Sequence, residues 1–273
     1  MNKAYPVDKA LPLEDRKAYP VDKETIIRNF SKYASTYDKY ADIQKRAASE
    51  LLGLMREDGF RRILEIGCGT GNYTLLLRER FKNASLKAID ISGKMIDVAS
   101  EKLKDKSIEF IVADAETVDI REDFDCITSN ASFQWFSDLG KTIKKYSAAI
   151  KKGGIILFSV FGPATFRELN ASLRDVFKEA STVTDNFMGK KELIRLLEEN
   201  FKKVRIKEAF YEESFPCLKD LLHKIKFSGI RGNGMNGGTI FTPRALRGLE
   251  KVYLNKFKRI SATYQVFYCE GRR

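Results

Sequence analysis

Residues 62–71 read RILEIGCGTG, an apolar run that ends in a turn with three glycines. Residues 62–66 have the length and apolar content of a buried strand, and a helical pattern follows as far as Arg80. A glycine turn between a strand and a helix lets the backbone approach a ligand and points amide groups at it. A dinucleotide fingerprint needs glycine at position 72, where this chain has Asn72. The turn therefore predicts a ligand site that is not a nicotinamide site.

Strands and helices alternate after this turn. Apolar runs of four to seven residues lie between amphipathic helical segments, as a parallel sheet covered on both faces requires. The order predicts an α/β, doubly wound, Rossmann-like fold. The last strand, 260–268, alternates in the manner of an antiparallel edge strand. The other predicted strands are 86–89, 108–112, 124–129, 155–161 and 204–212, and the predicted helices are 41–56, 93–103, 138–150, 165–179, 190–200, 218–227 and 243–257.

Length and composition predict one globular domain. The chain has 273 residues, of which 43% are hydrophobic and 32% charged. The longest apolar stretch, 155–161, falls far short of the roughly 20 residues of a membrane helix, and no secretory leader opens the chain. We therefore expect a cytoplasmic protein without membrane contact. Lys-Ala-Tyr-Pro-Val-Asp-Lys occurs at 3–9 and 17–23, and we expect a flexible tail over 1–23, then one domain over 24–273 with a helical insertion at about 162–200.

The few histidines and cysteines restrict the chemistry. His223 is the single histidine, and the four cysteines stand alone at 68, 126, 217 and 269. This pattern indicates neither a zinc site nor a disulfide framework, and it disfavours a histidine-based triad. We expect no metal, and we expect His223 to face solvent beside Lys224.

Polar side chains stand where successive strands end. Asp90 comes nineteen residues after Gly71, where a carboxylate can take both hydroxyls of a ribose. Asp114 ends the third strand and could accept a hydrogen bond from an exocyclic adenine amine, and Asn130 ends the fourth. Because carboxyl ends of parallel strands meet at one crevice, we expect these side chains to converge. Capping of the following helices is the alternative role for either carboxylate.

This arrangement resembles the class I S-adenosylmethionine-dependent methyltransferases over about residues 25–160. The resemblance implies a seven-stranded sheet with an antiparallel last strand, S-adenosylmethionine as cofactor and S-adenosylhomocysteine as product. That cofactor has no phosphates, so it needs carboxylates for its ribose and adenine. Cofactor-binding roles fall on Gln44, Glu65, Gly67, Cys68, Gly69, Asp90, Ile91, Met95, Asp114, Ala115 and Asn130.

A narrower resemblance is to the malonyl-acyl carrier protein O-methyltransferases of biotin synthesis. It is carried by residues 30–38 with Gln44, by Ser-Asn-Ala-Ser-Phe-Gln-Trp at 129–135, by 161–169, and by Lys226, Gly229, Thr263 and Tyr264. The resemblance implies methyl ester formation on the free carboxylate of malonyl. A carboxylate is already ionised at pH 7 and needs no general base, which suits a chain with one histidine.

The acceptor side of the site has its own candidates. Tyr37 is the catalytic candidate, because it could hydrogen-bond the acceptor carboxylate or the cofactor's amino-acid head. Phe133 and Trp135 alternate with Ser132 and Gln134, so we expect the aromatic side chains to wall a methyl-transfer channel. Core packing is the alternative role for each aromatic residue. Substrate-binding roles are predicted for Gln134, Trp135, Lys226 and Arg231.

Positive charge collects at the C-terminal end. The net charge is +12, and residues 219–273 hold twelve basic and three acidic residues, or +9. This excess favours docking of an acidic acyl carrier protein that bears malonyl, and a solvated basic face is the alternative.

Other partners and functions are less favoured by the sequence. Nucleic acid is disfavoured, because Ser129-Asn130-Ala131-Ser132 stands where enzymes that methylate base nitrogens have Asn/Asp-Pro-Pro-Tyr/Phe. We expect a monomer. The alternative functions are methylation of another small acid or of a quinone-type ring carbon, and cofactor binding without turnover.

Overall fold

The computed structural model describes residues 22–120, 122–177, 182–228 and 242–273. Within these ranges, seven strands form one sheet in the order β3-β2-β1-β4-β5-β7-β6. The strands are β1 (Arg62–Ile66), β2 (Ser85–Asp90), β3 (Glu109–Val112), β4 (Phe124–Asn130), β5 (Ile150–Phe161), β6 (Lys203–Phe215) and β7 (Ile260–Arg272). The helices are α1 (Lys23–Tyr33), α2 (Asp42–Leu54), α3 (Asn72–Arg80), α4 (Gly93–Lys102), α5 (Leu139–Ala148), α6 (Arg167–Val176), α7 (Lys190–Glu198), α8 (Leu218–Phe227) and α9 (Pro243–Phe257).

The direction of the strands confirms the predicted α/β class. β1 pairs in parallel with β2 on one side and with β4 on the other, and β3 and β5 continue the parallel sheet. β7 is antiparallel to both of its neighbours, β5 and β6. The strand order therefore reverses between β1 and β4, where an open sheet of this kind leaves a crevice at its carboxyl ends.

The expectation that the last strand lies at an edge is wrong. β7 lies between β5 and β6, and its first ten residues are buried. The polar residues that suggested a solvated face are satisfied inside the protein. The Thr263 hydroxyl donates to Glu168 at 2.6 Å, and Gln265 Nε2 donates to Glu208 at 2.6 Å. The edge strand on this side of the sheet is β6, which alternates between exposed and half-buried residues, and β3 forms the opposite edge.

β6 and β7 continue beyond the parallel part of the sheet. Phe161, the last residue of β5, pairs with Val266, so residues 260–265 and their partners 210–215 extend past the carboxyl end of β5. Helices α6, α8 and α9 all contact β7. Within this extension Thr263 bonds to Glu168 of α6, Ser261 accepts from Tyr253 of α9, and Glu213 pairs with Lys224 of α8. The three helices therefore lie at the same end of the sheet as the crevice.

The helix starts follow from capping side chains. Ser92 accepts from Met95 N at the start of α4, and Asp138 accepts from Lys141 N at the start of α5. Asp22 caps α1, so Lys23 belongs to a helix rather than to the predicted tail. The rest of that tail, residues 1–21, lies outside the described residues. Between β5 and β6 the chain forms α6, a short 3₁₀ helix (Val183–Asn186) and α7.

An apolar core covers each face of the sheet. On one face, β-strand side chains pack with residues of α2, α3, α6, α8 and α9, including Leu51 and Tyr253. On the other face, α5 and α7 contribute Ile143 and Leu193. None of the helices in the described ranges combines the length and the apolar character needed to cross a membrane.

The close packing of Phe201 against Gly271 predicts that the stability of the protein is sensitive to a methyl group added at position 271. A Cβ at Gly271 in β7 would lie 2.6 Å from the Phe201 ring and 3.1 Å from Ile156 Cγ2. We expect G271A to lower the Tm, because overpacking a buried contact costs about 1–3 kcal/mol. Gly53 in α2 has no atom within 4 Å of such a Cβ, so G53A is the matched control and should keep or raise the Tm. Circular-dichroism melts measure both, and an unchanged Tm for G271A would contradict the tight fit.

Candidate functional site

A cleft opens at the carboxyl ends of β1, β2 and β4. It encloses ≈ 1010 Å³ of empty space, part of it open to solvent. The glycine turn forms one wall, and residues of α1, α2 and the 3₁₀ helix between them (Tyr37–Lys39) form another. The concave shape of the cleft and its mixed apolar and polar lining suit a small organic ligand.

The glycine turn leaves room for a ligand at the positions of its glycines. Gly67 and Gly69 have positive φ angles of 72° and 54°. A Cβ at Gly67 would lie 2.1 Å from Ser132 Oγ, so only glycine fits below that side chain. A Cβ at Gly69 would meet nothing within 4 Å, so this position borders open space.

Asp90 holds the turn from the neighbouring strand. Its Oδ2 accepts from Gly69 N at 2.8 Å, and its Oδ1 accepts from Ser92 N at 2.8 Å. The cap of α4 is Ser92 and not Asp90, so the helix-capping alternative does not describe this carboxylate. Burial raises the pKa of Asp90, although the two backbone donors favour the charged form.

Asp114 reaches the same cleft and pairs with a lysine of α1. Its Oδ2 lies 2.6 Å from Lys23 Nζ, and its Oδ1 accepts from Glu116 N at 2.9 Å. Lys23 Nζ also lies 2.7 Å from Glu116 Oε2. Sequence reasoning missed Lys23 because it placed this residue in the tail, and no local pattern relates position 23 to position 114.

One oxygen of the Glu65 carboxyl group, Oε2, is buried without a hydrogen-bond partner among the described residues. Glu65 lies in β1 just before the turn, is 1% exposed, and lines the cleft. Burial, with the charge of Asp90 adding to it, raises the pKa of Glu65 to about 8. A cationic ligand in the cleft would lower this pKa again by stabilising the carboxylate.

Tyr37 lies on the 3₁₀ helix between α1 and α2 rather than on a continuous helix. It lines the cleft. Burial raises the pKa of its phenol, and the charges of Asp38 and Asp90 add to the effect. Tyr37 is therefore a neutral hydrogen-bond donor at physiological pH and not a base.

Gln44 and Asn130 connect α2 to the sheet. Asn130 Nδ2 donates to the Gln44 carbonyl at 3.0 Å, and Asn130 Oδ1 accepts from Ser159 Oγ at 2.7 Å. Gln44 Nε2 donates to the Ser228 carbonyl at 3.4 Å. Both residues line the cleft while they also fix the position of α2.

Asp38 is a residue that sequence reasoning missed. Its Oδ1 accepts from Thr70 Oγ1 at 2.5 Å and from Asn72 Nδ2 at 2.8 Å, and its Oδ2 lies 2.6 Å from Lys102 Nζ. Burial raises the pKa of Asp38, but the hydrogen bonds from Lys102, Thr70 and Asn72 outweigh it and leave the pKa below its usual value. Asp38 therefore ties the segment that carries Tyr37 to the glycine turn.

The aromatic residues after β4 do not both wall the cleft. Residues 133–135 form a 3₁₀ helix, so the alternation expected of an extended chain is absent. Trp135 lines the cleft and packs against Phe30 and Phe187, with ring centroids 6.1 Å and 5.9 Å away. Phe133 packs instead against Phe136 and Phe158 in the core on the other face of the sheet.

Two of the predicted substrate-binding residues, Gln134 and Lys226, are not among the cleft residues. Gln134 donates from Nε2 to the Ala131 carbonyl at 2.6 Å. Lys226 is exposed on α8, and Arg231 lies outside the described residues. His223 is exposed and packs against Phe227, with ring centroids 4.2 Å apart. The cleft brings together Tyr37, Gln44, Glu65, Gly67, Cys68, Gly69, Asp90, Ile91, Met95, Asp114, Ala115, Asn130 and Trp135.

Known proteins are similar in sequence to this chain along almost its whole length. Residues 63–154 match a family model described as a methyltransferase domain. A malonyl-acyl-carrier protein O-methyltransferase of Bacillus cereus is 32% identical over 262 residues, 90% of this chain and 97% of that protein. A second, from Ilyobacter polytropus, is 35% identical over 247 residues, 89% of this chain and 90% of that protein. The chain belongs to the malonyl-acyl-carrier protein O-methyltransferase family.

Solved structures share the fold of this methyltransferase. The YcgJ protein of Bacillus subtilis superposes with a TM-score of 0.59 at 15% identity, covering 84% of this chain and 98% of that one. The N-methyltransferase NodS of Bradyrhizobium japonicum, solved with S-adenosyl-L-homocysteine, gives a TM-score of 0.53 at 14% identity, covering 91% and 98%. At such identities the likeness shows the fold alone.

The buried carboxyl of Glu65 predicts a pH-dependent stability of the ligand-free methyltransferase. Its pKa is about 8 in the folded state against an ordinary value of 4.5, so the folded protein holds a proton that the unfolded chain releases. Stability from this group is complete below pH 4.5 and is lost as the pH rises toward 8. E65Q lacks this loss, so its Tm should match wild type at about pH 4 and exceed it increasingly toward about pH 8. Scanning fluorimetry measures this, and a Tm difference that is constant with pH would contradict it.

Proposed function

We propose that this methyltransferase transfers the methyl group of S-adenosylmethionine to the free carboxylate of malonyl held on an acyl carrier protein. The observation that carries the cofactor assignment is the buried Glu65 carboxyl, one oxygen of which has no hydrogen-bond partner among the described residues, beside a glycine turn and with Asp90 and Asp114 in the same cleft. Acidic side chains around a turn without side-chain bulk suit a cationic adenosine derivative. The acceptor is supported by relatives of that name that match about nine-tenths of the chain.

The cleft residues fit the cofactor in distinct roles. Asp90 would accept from the ribose hydroxyls while it keeps its bond to Gly69 N. Asp114 and Ala115 would hold the adenine edge, and Ile91 and Met95, which also line the cleft, would contact its faces. Each carboxylate oxygen has two lone pairs, so the existing bonds of Asp90 and Asp114 leave acceptor capacity.

The amino-acid head of the cofactor would lie near the turn. Gly67, Cys68 and Gly69 leave the space, Gln44 supplies a side-chain amide, and Glu65 supplies the countercharge to an ammonium group. When bound, S-adenosylmethionine supplies an electrophilic methyl group on a sulfonium. The ionised form of Glu65 is then the favoured one, because a cation replaces the empty, poorly solvated surroundings.

The acceptor side needs positioning and exclusion of water more than acid–base chemistry. A carboxylate is ionised at pH 7, so the protein does not have to remove a proton from it. Tyr37 would donate a hydrogen bond to the acceptor carboxylate or to the amino-acid head, since its phenol stays neutral. Trp135, buried against Phe30 and Phe187, would exclude water from the line of methyl transfer. We propose further that the protein acts as a cytoplasmic monomer.

The direct test is a mass measurement on the acceptor. Purified protein and S-adenosylmethionine are incubated with malonyl-carrier protein, acetyl-carrier protein, unloaded carrier protein, and free small acids. We expect malonyl-carrier protein alone to gain the mass of one methylene group, and we expect mild base to remove it as from a methyl ester. Methylation of a free acid or a quinone without carrier-bound malonyl would overturn the proposed acceptor.

The phenolic hydroxyl group of Tyr37 is predicted to contribute to kcat/KM. Y37F removes the phenolic donor and keeps the ring, so kcat/KM should fall by roughly 10- to 100-fold, as for a lost hydrogen bond to a charged group. Because the phenol stays neutral, Tyr37 should leave no ionisation in the wild-type pH–rate profile near neutrality.

Tyr40 supplies the matched control. It follows the same 3₁₀ helix but stacks on Phe227 with ring centroids 5.0 Å apart, and it is not among the residues that line the cleft. Y40F should keep kcat/KM within about twofold of wild type. Equal activity of Y37F and wild type would remove Tyr37 from the proposed mechanism.

A further inference from the structure

Some basic side chains at the C-terminal end of the chain form ion pairs with carboxylates, and others do not. Arg244, Arg247 and Lys251 have no carboxylate within ion-pair distance among the described residues. Their neighbours in the sequence do find carboxylates on other elements. The paired cations are Lys224 with Asp42 and Glu213, Lys256 with Asp175, Arg259 with Glu212, and Arg272 with Glu57.

Lys219 and Lys226 on α8 likewise have no carboxylate within ion-pair distance in the described ranges, whereas Arg244, Arg247 and Lys251 share one face of α9. Spacings of three and four residues place them in a row that continues through an apolar residue to the end of the helix. All members of the row are exposed, and Leu254 is 41% exposed. We call this row the α9 stripe: Arg244, Arg247, Lys251, Leu254 and Lys258.

The acidic residue of α9 does not neutralise this stripe. Glu250 is half-buried, and its Oε1 accepts from Leu218 N at the start of α8 at 2.9 Å. On the opposite side of the helix, Leu249 and Tyr253 are fully buried in the core. The helix is therefore held by its apolar side, and its basic side is left to solvent.

The stripe lies at the same end of the sheet as the cleft. Tyr253 donates its hydroxyl hydrogen to the Ser261 carbonyl, in the part of β7 that extends past the carboxyl end of β5. The cleft opens at the carboxyl ends of the parallel strands. Helix α8, which contacts α9, ends at Ser228, whose carbonyl accepts from the cleft residue Gln44. A partner seated on α9 would thus lie beside the end of the molecule that holds the cleft.

We propose that the α9 stripe is the docking surface for an acidic helix of the carrier protein that presents the malonyl group. This inference rests on the proposed function, since it assumes that the acceptor arrives on a protein. Charge complementarity carries it: a row of cations without carboxylates attracts a row of acidic side chains, and arginine can bind a carboxylate through two parallel hydrogen bonds. Leu254 adds an apolar contact within the row, as amphipathic helix recognition requires.

The test is a charge-reversal variant of the stripe, R244E/R247E/K251E. The matched control is K82E/K152E/K202E, which makes the same change in net charge at exposed lysines. These three lie at the amino end of the sheet, directly before β2, near the start of β5 and directly before β6. Both variants are assayed with malonyl-carrier protein and with a malonyl thioester of a short pantetheine fragment.

We expect the stripe variant to raise KM for malonyl-carrier protein roughly tenfold or more, with kcat nearly unchanged and a weaker dependence of kcat/KM on salt. Its activity on the short thioester should equal wild type, and so should both activities of the control variant. L254S should raise the carrier-protein KM by a smaller factor. A stripe variant that matches the control in carrier-protein KM would overturn the docking surface.

The assay with the short thioester distinguishes failure of the proposed docking surface from failure of the proposed function. Wild-type protein that methylates neither malonyl substrate contradicts the function, whereas wild-type protein that methylates both, with the stripe variant unaffected, contradicts the docking surface alone. Fluorescence anisotropy with a labelled RNA tests whether the α9 stripe binds nucleic acid instead of an acidic protein. Loss of RNA binding in the stripe variant with an unchanged carrier-protein KM would assign the stripe to nucleic acid and overturn the proposal.

Discussion

The site depends on how the glycine turn is held against the end of β2. Gly67 N and Cys68 N both donate to the Ile89 carbonyl, at 2.7 Å and 3.0 Å, and Gly69 N donates to Asp90. These bonds satisfy amide groups that positive φ angles turn away from the strand. With the backbone fixed in this way, the space beside Gly69 stays open without a side chain to support it. The other cleft elements are then placed relative to the turn, above all by Asp38.

Acidic groups in the cleft make the ligand-free protein less stable than it could be. Glu65 is buried without a hydrogen-bond partner for one oxygen, and burial raises its pKa to about 8. At Asp114 the fold supplies a cation from α1, the ammonium of Lys23. A site that holds buried acid groups favours binding of a cationic ligand, because ligand charge offsets the desolvation of the carboxylate. A loss of stability at buried polar groups is common in binding sites.

Much of the fold could be predicted because parallel strands are short, apolar and separated by helices. Five parallel strands follow from that pattern, whereas the antiparallel direction of β7 was expected from its alternation and from the family resemblance. The position of β7 inside the sheet could not be predicted in this way. Alternating polar residues indicate a solvent-exposed face only if those residues are not hydrogen-bonded inside the protein. In β7, Thr263 and Gln265 are buried and hydrogen-bonded to Glu168 and Glu208. The environment of β7 therefore depends on hydrogen bonds with residues of β6 and α6, which are distant from it in sequence.

The sequence by itself determined that a glycine-rich turn follows β1 and that Asp90, Asp114 and Asn130 stand at or just after the carboxyl ends of three parallel strands. These features are local, and parallel pairing brings strand ends together whatever the rest of the chain does. Only the tertiary structure decided that Lys23 meets Asp114, that Asp38 bonds the turn, and that Phe133 leaves the cleft while Trp135 stays. Contacts between segments 32 and 91 residues apart depend on how helices pack over the sheet, which no local pattern encodes.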